Sequence, residues 1–173
     1  MKEENAIIQV EPNVQLGSLQ VQETGVVARA TAIADELAEI ITSRKLFSNI
    51  NNKKYVRVEG WSTLGALLGV LPVEDAVKEH ENGDFEASVN LIRVSDGSII
   101  GRGSAIVGSD EPMWAKRPRY ARRSMAITRA TGKAFRLGFS WIVQLAGFEA
   151  TPAEEMDGTQ AQGNVINEYE LPI

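Results

Sequence analysis

An α+β fold is predicted from the sequence: an antiparallel β-β-β sheet packed on a long C-terminal helix, with a leading helix before it. Three observations predict it. Phe85, Ala87, Val89 and Leu91 alternate with Glu86, Ser88 and Asn90, and Asp96-Gly97 turns the chain back into a second strand from Ile99 to Val107. From about Tyr120 to Ala146 the chain keeps helical spacing without a proline. Earlier, Val26, Val27, Ala30, Ile33, Ala34, Leu37, Ile40 and Ile41 recur at the same spacing, with Asp35, Glu36 and Glu39 between them.

The elements follow in order. Residues 1–23 read as an N-terminal arm, polar and interrupted by Pro12. Thr24-Gly25 opens the leading helix, and Arg44 and Lys45 lie where a last turn favours cations. Asn49-Ile50-Asn51-Asn52 reads as a loop and Lys54–Glu59 as a strand broken by Gly60. Trp61–Leu71 reads as a short buried helix ended by Pro72, and Val73–His80 as a further strand. Gly101 and Gly103 inside the second hairpin strand point to a bulge or a close approach of other backbone. The core domain is expected over 24–149. Residues 150–173, with Thr151-Pro152, Gly158 and Gly163, read as a flexible acidic tail dispensable for folding.

Composition bounds the chemistry. The chain has 173 residues, 43% of them hydrophobic, enough for one core. It has no cysteine and one histidine, His80, which excludes disulfides, thiolate zinc sites and multi-histidine metal sites. No apolar run approaches the roughly 20 residues of a membrane span, and Met1-Lys2-Glu3-Glu4 lacks the apolar stretch of a signal peptide. A cytoplasmic protein is expected.

The net charge of −5 hides its distribution. Residues 111–136 hold 8 basic side chains against Glu111 alone, and no acid lies between Lys116 and Arg136. At about 100° per residue, Arg122, Arg129, Lys133 and Arg136 share one narrow stripe of the long helix. Ile127, Ala134, Gly138, Trp141, Ile142 and Leu145 fall opposite and are expected to pack on the sheet, while Gly132 implies a packing or contact role. A solvated face normally mixes charges of both signs. Here like charges repel on successive turns, and a phosphate backbone is the commonest polyanion to relieve them. Trp114 and Tyr120, beside the basic loop, either stack on bases or cover the sheet edge.

Other chemistries lack their signatures. Gly132-Lys133 is followed by Ala134 with no glycine five residues earlier, so there is no phosphate loop, and no dinucleotide fingerprint occurs. Asp84 and Glu86 are the acids a small metal-dependent nuclease would use; they read as strand-surface charges. No enzyme activity, cofactor or metal is expected.

The order of these elements resembles the single-strand annealing superfamily, the group of the eukaryotic Rad fifty-two protein and of phage recombinases of the Erf and Sak types. The likeness covers roughly residues 30–147. It rests on the leading helix, the segment Val58-Glu59-Gly60 before a short apolar helix, the hairpin at Asp96-Gly97, and the final helix written Ala126-Ile127-Thr128-Arg129-Ala130-Thr131-Gly132-Lys133-Ala134-Phe135-Arg136. The resemblance implies ATP-independent binding and annealing of single-stranded DNA in homologous recombination, of the phage type. It implies a homo-oligomer, a ring or helical filament, with an exonuclease or a single-strand-binding protein as partner. Single-stranded DNA would lie between the sheet and the last helix, touching Lys133, Arg136 and a first-strand residue near Arg57. Gly132 interrupts the family's run of adjacent cations, and the preceding loop is enriched instead. The DNA-binding set is therefore Arg57, Lys116, Arg117, Arg119, Arg122, Arg123, Arg129, Lys133 and Arg136. The alternatives are a passive single-stranded nucleic-acid-binding module, for DNA or RNA, and the small nuclease.

Overall fold

The computed structural model describes residues 25–156. Over them the chain is α+β: a leading helix, a small hairpin, a second helix, a three-stranded antiparallel sheet and a long helix across one face of that sheet. The expected arm, residues 1–23, and the tail beyond 156 lie outside the described residues.

Helix α1, Val26–Arg44, buries Ala30, Ala34, Leu37 and Ile41, a stripe one side chain wide. It ends at Lys45 in the left-handed region, with the Leu46 N–H bonded to the Ile41 carbonyl at 2.9 Å. The chain then forms a hairpin. Strand β1, Phe47–Ile50, pairs with β2, Lys53–Val56, through Asn51 and Asn52, both at positive φ. Asparagine tolerates that conformation, and two such residues in succession are the primed turn that fits the twist of paired strands. The stretch 49–52 is thus a strand end and a turn, not a free loop.

The strand expected to reach Glu59 stops at Val56. Helix α2, Val58–Leu67, begins with Val58, Glu59 and Gly60 in its first turn. Gly60 is fixed by crowding: a side chain there would meet Val56 and would lie 3.4 Å from Ile41. Helix α2 stops three residues before Pro72, and Pro72 belongs to the next strand. That strand, β3, Val70–Glu79, lies at the sheet edge, where a missing N–H is tolerated. It pairs with β4, Phe85–Arg93, which pairs with β5, Ile99–Val107.

Phe85, Ala87, Val89 and Leu91 of β4 are buried on the face that receives helix α3, Arg119–Leu145. The opposite face carries Leu71, Val73, Ile99 and Ile106, all exposed. It also carries a polar group in which the Ser88 hydroxyl and the Asn90 amide donate to Asp75, each at 3.0 Å, and Arg102 donates to Asn90 at 2.9 Å. At the β4–β5 turn Gly97 has positive φ, and Asp96 accepts from the Ser98 hydroxyl, the Ser98 N–H and Arg93. Those bonds, the two from Ser98 foremost, hold the Asp96 carboxyl down to about 2.

Both consequences expected of the β5 glycines occur. The register shifts opposite Gly101, between Leu91 and Ile92, and Gly103 lies directly under the α3 backbone. A side chain at Gly103 would sit 2.6 Å from the Ala130 carbonyl oxygen and 2.7 Å from the Ala134 Cα.

Helix α3 does not use a single apolar face. Its first half places Ala126 and Ala130 against Phe85, Ala87, Val89 and Val107. Its second half turns Phe135, Phe139, Ile142 and Val143 into a larger cluster with Leu37 and Ile41 of α1 and Trp61 and Leu64 of α2. The burial direction therefore rotates along the helix. Trp141, expected in the core, is 42% exposed, Leu145 is exposed, and Gly138 faces open space. Ile127 is partly buried against the smaller cluster.

Residues 150–156, expected in the tail, are part of the fold. Pro152 and Ala153 are buried, Ala153 beside Ile50 and Tyr55, and Glu154 accepts a hydrogen bond from the Val58 N–H at 2.9 Å. That carboxylate satisfies one of the open donors at the start of α2. The core boundary lies at or beyond 156.

Two outcomes are expected. Gly103→Ala should lower stability by about 3 kcal/mol in urea denaturation, because the neighbour it meets is backbone that cannot rotate away; a loss under 1 kcal/mol would mean that α3 rides higher above the sheet. Ending the chain after Ala150 should lower the melting temperature by several degrees, through loss of the α2 cap and the burial of Pro152 and Ala153.

Candidate nucleic-acid interface

The loop before α3 is fastened at both ends. The Ser109 N–H donates to Asp84 at 2.7 Å, and the Ser109 hydroxyl donates to the Asn82 carbonyl at 2.7 Å. The Ser109 N–H, with Asn82, holds the Asp84 carboxyl below its usual range. Asp84 is thus the anchor between the β3–β4 turn and the basic loop. Glu86 faces the His80 ring at 2.9 Å. Trp114 is drawn into the cluster of Phe85, Val107 and Ala126, so it covers the sheet rather than presenting a stacking face. Its indole N–H is buried without an acceptor.

Pro118 leads into the helix, whose first residues lie over the β3 side of the sheet. There the Arg119 guanidinium holds both oxygens of Glu79, and Arg123 pairs with Glu74 at 2.9 Å. The Arg119 bonds hold the Glu79 carboxyl below its ordinary range and raise Arg119. Arg119 and Arg122 both stand over the Phe85 ring, at 5.8 and 5.9 Å from its centroid. Arg122 also donates to the Gly83 carbonyl at 3.0 Å. Between β3 and this first turn runs an open groove of about 700 Å³. Val77 and Phe85 line it, with Glu79, Arg119, Tyr120 and Arg123 around them. Tyr120 is 74% exposed and free to receive a flat ligand.

The next cations leave α3 on its other flank. Arg129 is bidentate to Glu111, with both bonds at 2.8 Å, and its side chain is only 12% exposed. Burial pushes Glu111 up, but Arg129 and the Gly108 N–H outweigh it and hold the carboxyl below its ordinary range. Arg136 pairs with Glu155 at 2.6 Å. Lys133 is exposed and has no acidic partner among the described residues, and the same holds for Lys116 and Arg117.

The nine cations predicted from sequence therefore divide. Arg119 and Arg123 are gathered beside Tyr120 at the groove, with Arg122 beneath. Arg129, Lys133 and Arg136 form the opposite flank. Arg57 stands apart: it precedes α2, outside the three-stranded sheet, and donates to the Ser48 hydroxyl at 3.1 Å. The expectation that the helix stripe lacks a counter-ion is corrected. Glu79, Glu74, Glu111 and Glu155 supply one each to four arginines, from β3, the loop and the segment after α3.

Those acids were missed because their partners lie 18 to 49 residues away in sequence. One further signal was obscured. Glu74 and Glu79 are five residues apart, which puts them on opposite faces of a regular strand. The bulge between Glu74 and Ala76 returns them to one face, where Glu74 stands opposite Val89 and Glu79 opposite Phe85.

Among the described residues, no helix is long and apolar enough to cross a membrane. Compared with known proteins, the chain matches no family profile, no curated sequence and no solved structure.

Proposed function

We propose that this protein binds single-stranded DNA through its backbone and anneals complementary strands without ATP, as a homo-oligomer and without catalytic groups of its own. The observation that carries the reading is the groove between β3 and the start of α3. It combines an apolar floor, an exposed Tyr120, two arginines in reach of solvent, and the acid-free Lys116 and Arg117 at its mouth. Phosphates are met by cations and bases by a ring, the pairing that sequence-tolerant single-strand binding calls for. Lys133, 14 residues and about 21 Å along the helix from Arg119, extends the positive surface over several nucleotides. The resemblance of the element order to annealing proteins supports the same reading. Repetition of this short track around an oligomer multiplies modest contacts into useful affinity. The energy of annealing then comes from base pairing, at roughly 1.4 kcal/mol per stacked step.

Passive binding without annealing is the second reading. It is favoured by the internal ion pairs, which leave only three exposed acid-free cations on and before α3. One experiment addresses both. Complementary labelled oligonucleotides should pair faster on adding protein, with no nucleotide and no magnesium, and more slowly again at large protein excess. Tight binding with no acceleration at any ratio would leave passive binding standing; shortened strands in magnesium would point to the nuclease.

The salt dependence is also fixed by the geometry. Lys116, Arg117 and Lys133 release counter-ions from about three phosphates, so log K against log salt should have a slope of about −2 per protomer, at roughly −0.7 per phosphate. Replacing all three by alanine should flatten the slope toward zero with little change in melting temperature. An unchanged slope would remove them from the binding surface.

A further inference from the structure

Beyond α3 the chain turns back along the helix. The Phe148 N–H donates to the Val143 carbonyl at 3.2 Å, and the Glu149 N–H donates to the Lys54 carbonyl at 2.9 Å. Pro152 then lies against Gly132, and the Glu154 carbonyl accepts from Arg129 at 3.3 Å. The mid-helix glycine is the seat of this segment: a side chain at Gly132 would lie 3.0 Å from the Pro152 Cβ and 3.1 Å from its Cγ. The segment is thus fitted to the basic flank of α3, and it brings Glu155 to Arg136.

We propose that this segment is an internal competitor for nucleic-acid backbone, with the Glu155 carboxylate standing in for a phosphate at Arg136. The inference rests on the reading of the α3 flank as a backbone-binding surface. Three observations support it. Glu155 gives one oxygen to Arg136, while its other oxygen, Oε1, is buried with no hydrogen-bond partner. A carboxylate satisfied on one side only is easier to displace than Glu111, which engages Arg129 through both oxygens. Arg136 is 38% exposed against 12% for Arg129, so a ligand can reach it from solvent, one turn beyond the acid-free Lys133. The neighbouring Glu154 has a separate task, bonded to the Val58 N–H, so it anchors the segment while Glu155 swings away.

Carboxylate and phosphodiester are both monoanions with two accepting oxygens, so the exchange conserves charge at Arg136. A phosphate arriving there loses its counter-ion while the released carboxylate gains one. In the native chain Arg136 therefore adds little to the salt dependence. Removal of the Glu155 charge exposes it as a further phosphate site.

The test is a salt series of fluorescence anisotropy on the full chain with a labelled thirty-nucleotide oligothymidine. Glu155→Gln should bind severalfold tighter, with a slope more negative by about 0.7. Arg136→Ala should keep the native slope, and the double variant Glu155→Gln with Arg136→Ala should return to it. Native affinity and slope in Glu155→Gln, or a double variant as steep as Glu155→Gln, would overturn the proposal. If Glu155→Gln fails to fold by circular dichroism, Gly132→Ala carries the test. Its methyl lifts Pro152 from the helix and should steepen the slope in the same way, and a folded Gly132→Ala with the native slope overturns the proposal. Native protein that binds the oligonucleotide beside unchanged variants defeats the competitor alone. Native protein and variants that all fail to bind defeat the functional reading and the competitor with it.

Discussion

The approach of α3 to β5 at Gly103 sets everything around it. Because no side chain separates the Gly103 Cα from the helix backbone, Ala130 and Ala134 come down onto the sheet. At that height the side chains on one flank of α3 reach Glu74 and Glu79 on β3, and those on the other reach Glu111 and Glu155. A helix held farther off would break the bidentate pairs first, since their geometry tolerates little displacement. The single glycine thus governs both the smaller core and the charge arrangement above it.

The charge arrangement inverts the usual logic of a solvated helix. Ordinary surface helices balance charge along their own length with acids one turn away. Here α3 carries only cations, and the balance arrives from three other elements. Exposed pairs of this kind contribute little stability each, about 0–1 kcal/mol, and Arg119 with Glu79 and Arg123 with Glu74 fall in that class. The Arg129–Glu111 pair is different. It is largely enclosed, both carboxylate oxygens are engaged, and it ties the loop to the helix. Its loss would leave a charge in a poorly solvated place. The same set of arginines therefore contains one structural clamp and several cations open to exchange.

Local signals were legible and long-range ones were not. Alternation in β4, the Asp96-Gly97 turn, the spacing of α1 and the extent of α3 all depend on neighbours a few residues apart, and each appears where the sequence put it. So does the close contact at Gly103. The first strand was misjudged because Lys54 to Glu59 has a β-like composition throughout. What ends it is crowding of Gly60 by Val56 and Ile41, a tertiary fact. Trp141 and Gly138 were misjudged because a wheel assumes one burial direction for a whole helix, whereas α3 faces the sheet first and α1 and α2 later. The site was legible as a concentration of cations beside Tyr120. Its compensating acids were invisible, since sequence distance carries no trace of a partner 40 residues away.

The bulge in β3 also decides how the sheet can be extended. With Pro72 and the displaced Asp75 in the same edge strand, β3 offers an interrupted ladder of donors and acceptors to anything beside it. The β5 edge has neither device. The sheet therefore has a blunt margin and a receptive one, and any backbone pairing between molecules would be one-sided. A one-sided contact repeated from copy to copy runs in a single direction, so polarity of assembly is already written into the placement of one proline and one extra residue.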